Sequence, residues 1–193
     1  MESRARESDA ELVRRAQQGD KHAFDLLVLK YQHKIAKLVS RYVKDPSEAL
    51  DVTQEAFIKA YRALPRFRGD SAFYTWLYRI AINTAKNYLV AQSRRPSTVD
   101  LTNQEGDQIN TEDLLQETAT PENLLSRDQV RETISRAIDS LPEDLKTAIT
   151  LRELEGLSYD EIAKVMECPI GTVRSRIFRA REAIDKQLKP LLE

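Results

Sequence analysis

The chain has 193 residues, 41% of them hydrophobic and 32% charged, with a formal net charge of -1. That length serves one ordinary domain or two small ones, and the longest unbroken apolar stretch, Leu26 to Leu29, is too short to cross a bilayer. One cysteine, Cys168, excludes an intrachain disulfide, and with only His22 and His33 beside it there is no spacing for a zinc site.

Met1 to Leu12 mixes Arg4, Arg6, Glu7, Asp9 and Glu11 without an apolar core, so no secretory signal is expected and the protein is expected in the cytoplasm. From there the apolar residues keep a helical period. Leu12, Val13 and Ala16 precede Gly19, and Phe24, Leu27, Val28, Tyr31, Ile35, Leu38 and Val39 follow it. Asp45-Pro46-Ser47-Glu48 predicts a helix start, with Asp45 as cap and Pro46 in the first turn, and Pro65 ends that helix near Leu64. Asp70 or Ser71 is then expected to cap a long helix reaching about Gln92. Four helices are thus predicted before residue 95.

In that long helix Phe73, Leu77, Ala81, Thr84 and Tyr88 share one face, and Trp76, Ile80, Asn83 and Asn87 share a neighbouring stripe bordered by Arg79 and Lys86. Aromatic rings stack on unpaired bases and amides read their edges, so Tyr74, Trp76, Asn83 and Asn87, with Phe67 and Arg68 of the preceding loop, point to single-stranded nucleic acid. Ordinary core packing is the competing reading. It is favoured for Phe73 and Leu77, and for Trp76 the two are balanced.

Charge divides the chain. Residues 30–95 carry 13 Lys+Arg against 5 Asp+Glu, whereas residues 96–126 carry 7 acids and no base. Between Pro96 and Thr120 periodicity fades, and the segment reads as a flexible acidic linker with at most transient helix around Leu114 and Leu115. After Pro121, Leu124, Val130, Ile134 and Ile138 resume helical spacing, and Pro142, Gly156, Ser158 and Pro169 divide the remainder into three further helices. The fold class is all-α: two small helical domains, 1–95 and 121–193, joined by the linker 96–120.

Ser158-Tyr159-Asp160-Glu161 has the form of a capping box. The short helix it opens ends at Cys168-Pro169, and Gly171-Thr172-Val173 opens another running through Lys186, which is a helix-turn-helix layout. On the second helix Val173, Ile177, Ala180, Ile184 and Leu188 form the packing stripe, while Gly171, Arg174, Ser175, Phe178, Arg179 and Glu182 share another face. Guanidinium donors with an apolar neighbour are what a major-groove reader presents, against the plainer reading of a solvated arginine-rich helix.

DVTQEAFIKAYRAL and FRGDSAFYTWLYRIAINTAKNYLVAQSRRP in the first half, and LPEDLKTAITLRELEGLSYDEIAKVM and CPIGTVRSRIFRAREAID in the second, resemble the extracytoplasmic-function sigma factors of bacterial RNA polymerase, nearest the sigma-E group of envelope stress. The resemblance implies that the first domain is sigma region 2, which docks on polymerase, melts the promoter and recognises the −10 element. The second would be sigma region 4, which reads the −35 element. By the family's pattern Asp51, Gln54 and Glu55 face the clamp coiled coil of the beta-prime subunit, and the flap of the beta subunit is a further polymerase contact. Ala63 and Phe67 wall a flipped base of the non-template strand, Asn83 reads its edge, and Arg79 and Lys86 hold phosphates; Arg68, Trp76, Ile80 and Asn87 complete that site. In the second domain Gly171, Arg174, Ser175, Phe178 and Arg179 read duplex, with Thr172 and Arg176 nearer its backbone. Also implied are a membrane-anchored anti-sigma factor holding an inactive pool at the inner membrane, no cofactor, no metal, no small-molecule substrate and no enzymatic activity. A dimeric helix-turn-helix regulator would account for Ser158 to Asp185 but leave the helix Phe73 to Gln92 unused, and a pure protein-interaction module explains less still.

Overall fold

The computed structural model describes residues 8–94 and 121–192, with side-chain environments given between 130 and 189 in the second stretch. All regular structure among these residues is helical, and they fall into two compact units. The expected linker 96–120, with its transient helix at Leu114 and Leu115, lies outside the described residues.

The first unit holds α1 (Asp9–Gln17), α2 (Lys21–Ser40), α3 (Pro46–Ala63), a 3-10 turn (Leu64–Arg66) and α4 (Phe73–Ser93). Local chemistry sets most of these boundaries. Ser8 caps α1 by accepting from Glu11 N at 3.3 Å, and Gly19, at φ 98°, turns the chain where a side chain would be strained. Asp20 caps α2 through Ala23 N at 3.3 Å, and Asp45 caps α3 through Glu48 N at 2.9 Å with Pro46 in the first turn. Leu27, Ile35 and Leu38 of α2, Leu64 and Leu77 are fully buried, each side chain contributing about 1.5–3 kcal/mol on burial. Where α3 runs along α4, Ala56, Ala60, Ala81 and Ala85 are buried, and their small side chains let the helices approach closely.

The start of α4 departs from expectation. Neither Asp70 nor Ser71 is its cap: the capping residue is Ala72, which supplies its carbonyl to Trp76 N at 3.2 Å and no side-chain bond. Gly69 at φ 77° turns the chain, and a bend through Asp70 and Ser71 delays the helix until Phe73 can enter the core.

The second unit holds α5 (Pro121–Asp139), α6 (Glu143–Ile149), a π turn (Thr150–Leu154), α7 (Tyr159–Met166) and α8 (Ile170–Leu192). Helix α8 runs past Lys186 and includes Leu188. Five consecutive residues, Thr147 to Leu151, are buried, more than one face of a regular α-helix can hide, and the wider π turn begins within that run. Ala137, Leu141, Leu157, Ile162, Val165, Val173, Ile177 and Ala180 complete the core. No helix among the described residues is long and apolar enough to cross a membrane.

Candidate nucleic-acid and polymerase interfaces

The helix-turn-helix is built from short-range bonds. Glu161 N donates to Ser158 Oγ at 3.3 Å and Ser158 N donates back to Glu161 Oε2 at 2.8 Å, so the capping box is complete. Arg152 lies over the Tyr159 ring at 4.8 Å and donates to Leu157 O at 2.8 Å, which fixes the entry to α7. The exit turns through Glu167 at φ 50°, with Cys168 N bonded to Ala163 O at 3.1 Å. Pro169 O then accepts from Thr172 N and Val173 N, opening α8.

Val173, Ile177 and Ala180 seat α8 on the core, with Ile184 and Leu188 half-buried on the same stripe. The opposite face carries Gly171, Arg174, Ser175, Phe178, Arg179 and Glu182, all exposed, and Phe178 keeps 69% of its surface in water. Arg174 and Arg179 make no ion pair among the described residues. Arg176 differs: it is half-buried, donates to Asp144 Oδ2 at 2.5 Å and lies 3.4 Å from Cys168 Sγ. A guanidinium so engaged ties α8 to α6 within its own unit. Arg181 is likewise paired, with Glu153 at 2.6 Å. Thr172 is half-buried, and its carbonyl accepts from Ser175 Oγ at 2.9 Å.

In the first unit the residues expected at the base site lie at the end of α3, on the turn that follows it and along α4. Phe67 is half-buried, its ring centroid 4.9 Å from that of Trp76 and 6.2 Å from that of Phe73. Trp76 retains only 9% exposure and also meets Phe73 at 5.7 Å. It is therefore the floor under Phe67, a core residue in place of the open stacking platform its sequence position allowed. Asn83, Asn87 and Arg68 are exposed, while Ala63, Arg79, Ile80 and Lys86 are half-buried. Tyr74 is half-buried too, its ring edge-on to Tyr78 at 6.2 Å. Trp76, Ile80, Asn83 and Asn87 follow one another at helical spacing, so the α4 face grades from buried ring to exposed amide. One contact here has no local sequence signal: Gln17 Nε2, at the end of α1, donates to both Leu64 O and Phe67 O at 2.9 Å.

Asp51, Gln54 and Glu55 are exposed on α3, with Glu55 3.5 Å from Lys59 one turn on. Beside them lie apolar residues that the sequence reading passed over. Leu50 is 62% and Ile58 44% exposed, and Tyr61, also exposed, rests its ring on Phe24 at 4.9 Å. Leu50, Gln54, Ile58 and Tyr61 form one stripe along the helix, an apolar strip edged with carboxylates. The signal was present in their spacing along the helix.

Two family models match this chain: sigma-70 region 2 over residues 27–95, and sigma-70 region 4 over residues 131–184. The RNA polymerase sigma-H factor of Pseudomonas aeruginosa is 64% identical over 186 residues, 96% of each chain, and the ECF RNA polymerase sigma-E factor of Escherichia coli K12 is 62% identical over 185 residues, again 96% of each. Among solved structures, CnrH in complex with the cytosolic domain of CnrY aligns with a TM-score of 0.68 at 23% identity, covering 95% of this chain and 99% of that one. The sigma factor RpoE of Bartonella quintana, in complex with the anti-sigma factor NepR, aligns at 0.63 and 22% identity, covering 86% and 96%. These two likenesses bear on the fold alone.

A two-unit helical chain with matches to regions 2 and 4 is a sigma factor of the sigma-70 class, a transcription initiation factor whose partners are core RNA polymerase and promoter DNA. Within that class the chain belongs to the extracytoplasmic-function sigma factors. A stand-alone dimeric helix-turn-helix regulator is not favoured, since it leaves the region 2 match without a purpose.

Proposed function

We propose that residues 1–95 dock on core polymerase and hold the melted −10 strand, that residues 121–193 read the −35 duplex, and that 96–120 links them. The observation that carries this division of labour is the difference between the two faces. Helix α8 presents Arg174 and Arg179, without ion partners among the described residues, around an exposed Phe178, as groove reading requires. The face of α4 instead presents the exposed amides of Asn83 and Asn87, and in this reading the half-buried Ala63 and Phe67 wall an unstacked base that the amides read. Arg79 and Lys86 hold phosphates of the same strand, with Arg68 and Ile80 completing the site. Gly171, Arg174, Ser175, Phe178 and Arg179 form the reading face of the duplex reader, with Thr172 and Arg176 nearer its backbone.

On this reading Asp51, Gln54 and Glu55 meet the clamp coiled coil of beta-prime, with Leu50 and Ile58 adding apolar contact, and the second unit reaches the beta flap. The protein itself catalyses nothing and works in the cytoplasm, where polymerase and chromosome are. Control by an anti-sigma factor is supported by the shared fold with the Bartonella quintana sigma factor solved with the anti-sigma factor NepR; on this reading the inhibitor is anchored in the inner membrane and releases the protein in envelope stress. The test is reconstitution with core polymerase. Run-off transcription from an enriched promoter, with permanganate footprinting of its unpaired thymines, should show opening that depends on this chain. Core enzyme that opens the same promoter equally well without it would refute the proposal.

A further inference from the structure

Gln17 closes α1, and its amide nitrogen donates to two carbonyls of the turn that follows α3, Leu64 O and Phe67 O, both at 2.9 Å. A primary amide has two N–H donors, so one side chain makes both bonds. Leu64 O also accepts from Phe67 N at 3.0 Å, the bond that closes the turn, so the amide joins an already defined loop and brackets its first and last residues.

The arm that carries Gln17 is itself fastened at each end. Near the start of α1, Asp9 takes Lys30 Nζ at 2.5 Å and the hydroxyl of Tyr31. Near its end, Arg15 donates twice to Asp20 Oδ2, at 2.7 and 3.0 Å, and Asp20 is the cap of α2. Leu12 and Val13 bury the helix between these ties. Phe67 is consequently held from two sides, its backbone by Gln17 and its ring by Trp76.

We infer that Gln17 is a positioning residue for capture of the unpaired promoter base: its amide sets the Leu64–Phe67 turn so that Phe67 stands as a fixed wall, although Gln17 itself touches no DNA. A recess that selects one base must keep its walls within a fraction of an ångström, because a loose wall admits every base with similar ease. The inference rests on the assignment of Phe67 to the base pocket made above. It gives α1, which carries none of the expected contact residues, a part in promoter opening.

The test uses the full chain bound to core polymerase and promoter duplexes with a pre-opened bubble, each of the four bases being placed in turn at the non-template position where the unaltered protein discriminates most. Gln17→Glu keeps length and volume but offers no donor when ionised, and Gln17→Lys restores one. Gln17→Glu should lower affinity for the preferred base by about 5- to 10-fold and compress the spread between bases, at unchanged affinity for core. Gln17→Ala should fall between Gln17→Glu and the unaltered protein, and Gln17→Lys should recover most of the spread. If Phe67→Ala loses discrimination while Gln17→Glu keeps it, even at a lower melting temperature, the pocket stands and Gln17 has no part in it. If Phe67→Ala also discriminates normally, the pocket assignment is wrong and the role of Gln17 falls with it.

Discussion

The guanidinium of Arg176 donates to the carboxylate of Asp144 at 2.5 Å, tying α8 to α6 across 32 residues of sequence. It thereby separates the arginines of α8 into two kinds, those that hold the helix and those that are free to meet a partner.

Arg176→Ala should therefore cost up to about 1 kcal/mol in stability, the usual worth of a partly exposed pair, and weaken binding to all promoters alike. Arg179→Ala should leave the melting temperature unchanged and lose about 1–3 kcal/mol of discrimination at one base pair of the upstream element. Mobility-shift titrations across single-base variants of that element measure both. A change of base preference in Arg176→Ala would reverse the assignment.

Asn83 is exposed, so Asn83→Ala should shift stability by less than about 0.5 kcal/mol. Open-complex formation on duplex promoter should drop roughly tenfold, with core affinity intact, and a pre-melted bubble should recover part of the loss. Stopped-flow fluorescence of a promoter base analogue follows the opening. A protein that unfolds on this substitution would show Asn83 to be structural.

On α3, replacing Asp51 and Glu55 with Lys should weaken capture of core enzyme on the order of tenfold or more without loss of helix content. Leu50→Ala, at a position 62% exposed, should weaken the same capture with almost no effect on the melting temperature. Pull-down and circular dichroism together decide it; full capture by the double lysine variant places the docking surface elsewhere.

Acid and alkali should act at the two ends of α1. Burial, then the bond to Asp9, pushes the Tyr31 phenol above its ordinary range. The protonated form is the one the fold favours, so this contribution is complete below about pH 10 and is lost as pH rises beyond that. Tyr31→Phe should cost about 1 kcal/mol at neutral pH and flatten the alkaline fall in melting temperature. Asp20 behaves oppositely. The hydrogen bond from Arg15 holds its carboxyl below the usual carboxylate range, so its contribution is present above about pH 4 and fades as pH falls further. Melting curves of the Tyr31→Phe and Asp20→Asn variants across pH 3 to 11, set against the unaltered protein, assign each limb.

What could be read in advance follows a physical rule. Asp45 with Glu48, and Ser158 with Glu161, bond across three residues, so their chemistry is legible wherever the letters stand in that order. The exposed face of α8 was legible because Val173, Ile177 and Ala180 define its reverse side. Trp76 was not, since an aromatic at the edge of an apolar stripe can face either way until Phe67 is laid on it. Arg176 and Gln17 depend on partners 32 to 50 positions away, and nothing near them in the chain announces those partners. Ala72 was missed because a cap made only of backbone has no compositional mark.

The π turn at Thr150–Leu154 bears on how such a chain can diverge. Its Thr150 O accepts from Glu155 N at 3.2 Å, one residue further along than an α-helix reaches, so the turn stores one residue more than its length demands. Glu153, lying in that turn, meets Arg181 of α8. Losing a single residue here would let the backbone relax into regular helix while all that follows keeps nearly the same place about the axis, because the extra residue is taken up within one wider turn. A one-residue change of length is therefore absorbed in this turn, whereas the burial of Thr150 and Leu151 restricts which side chains can stand there.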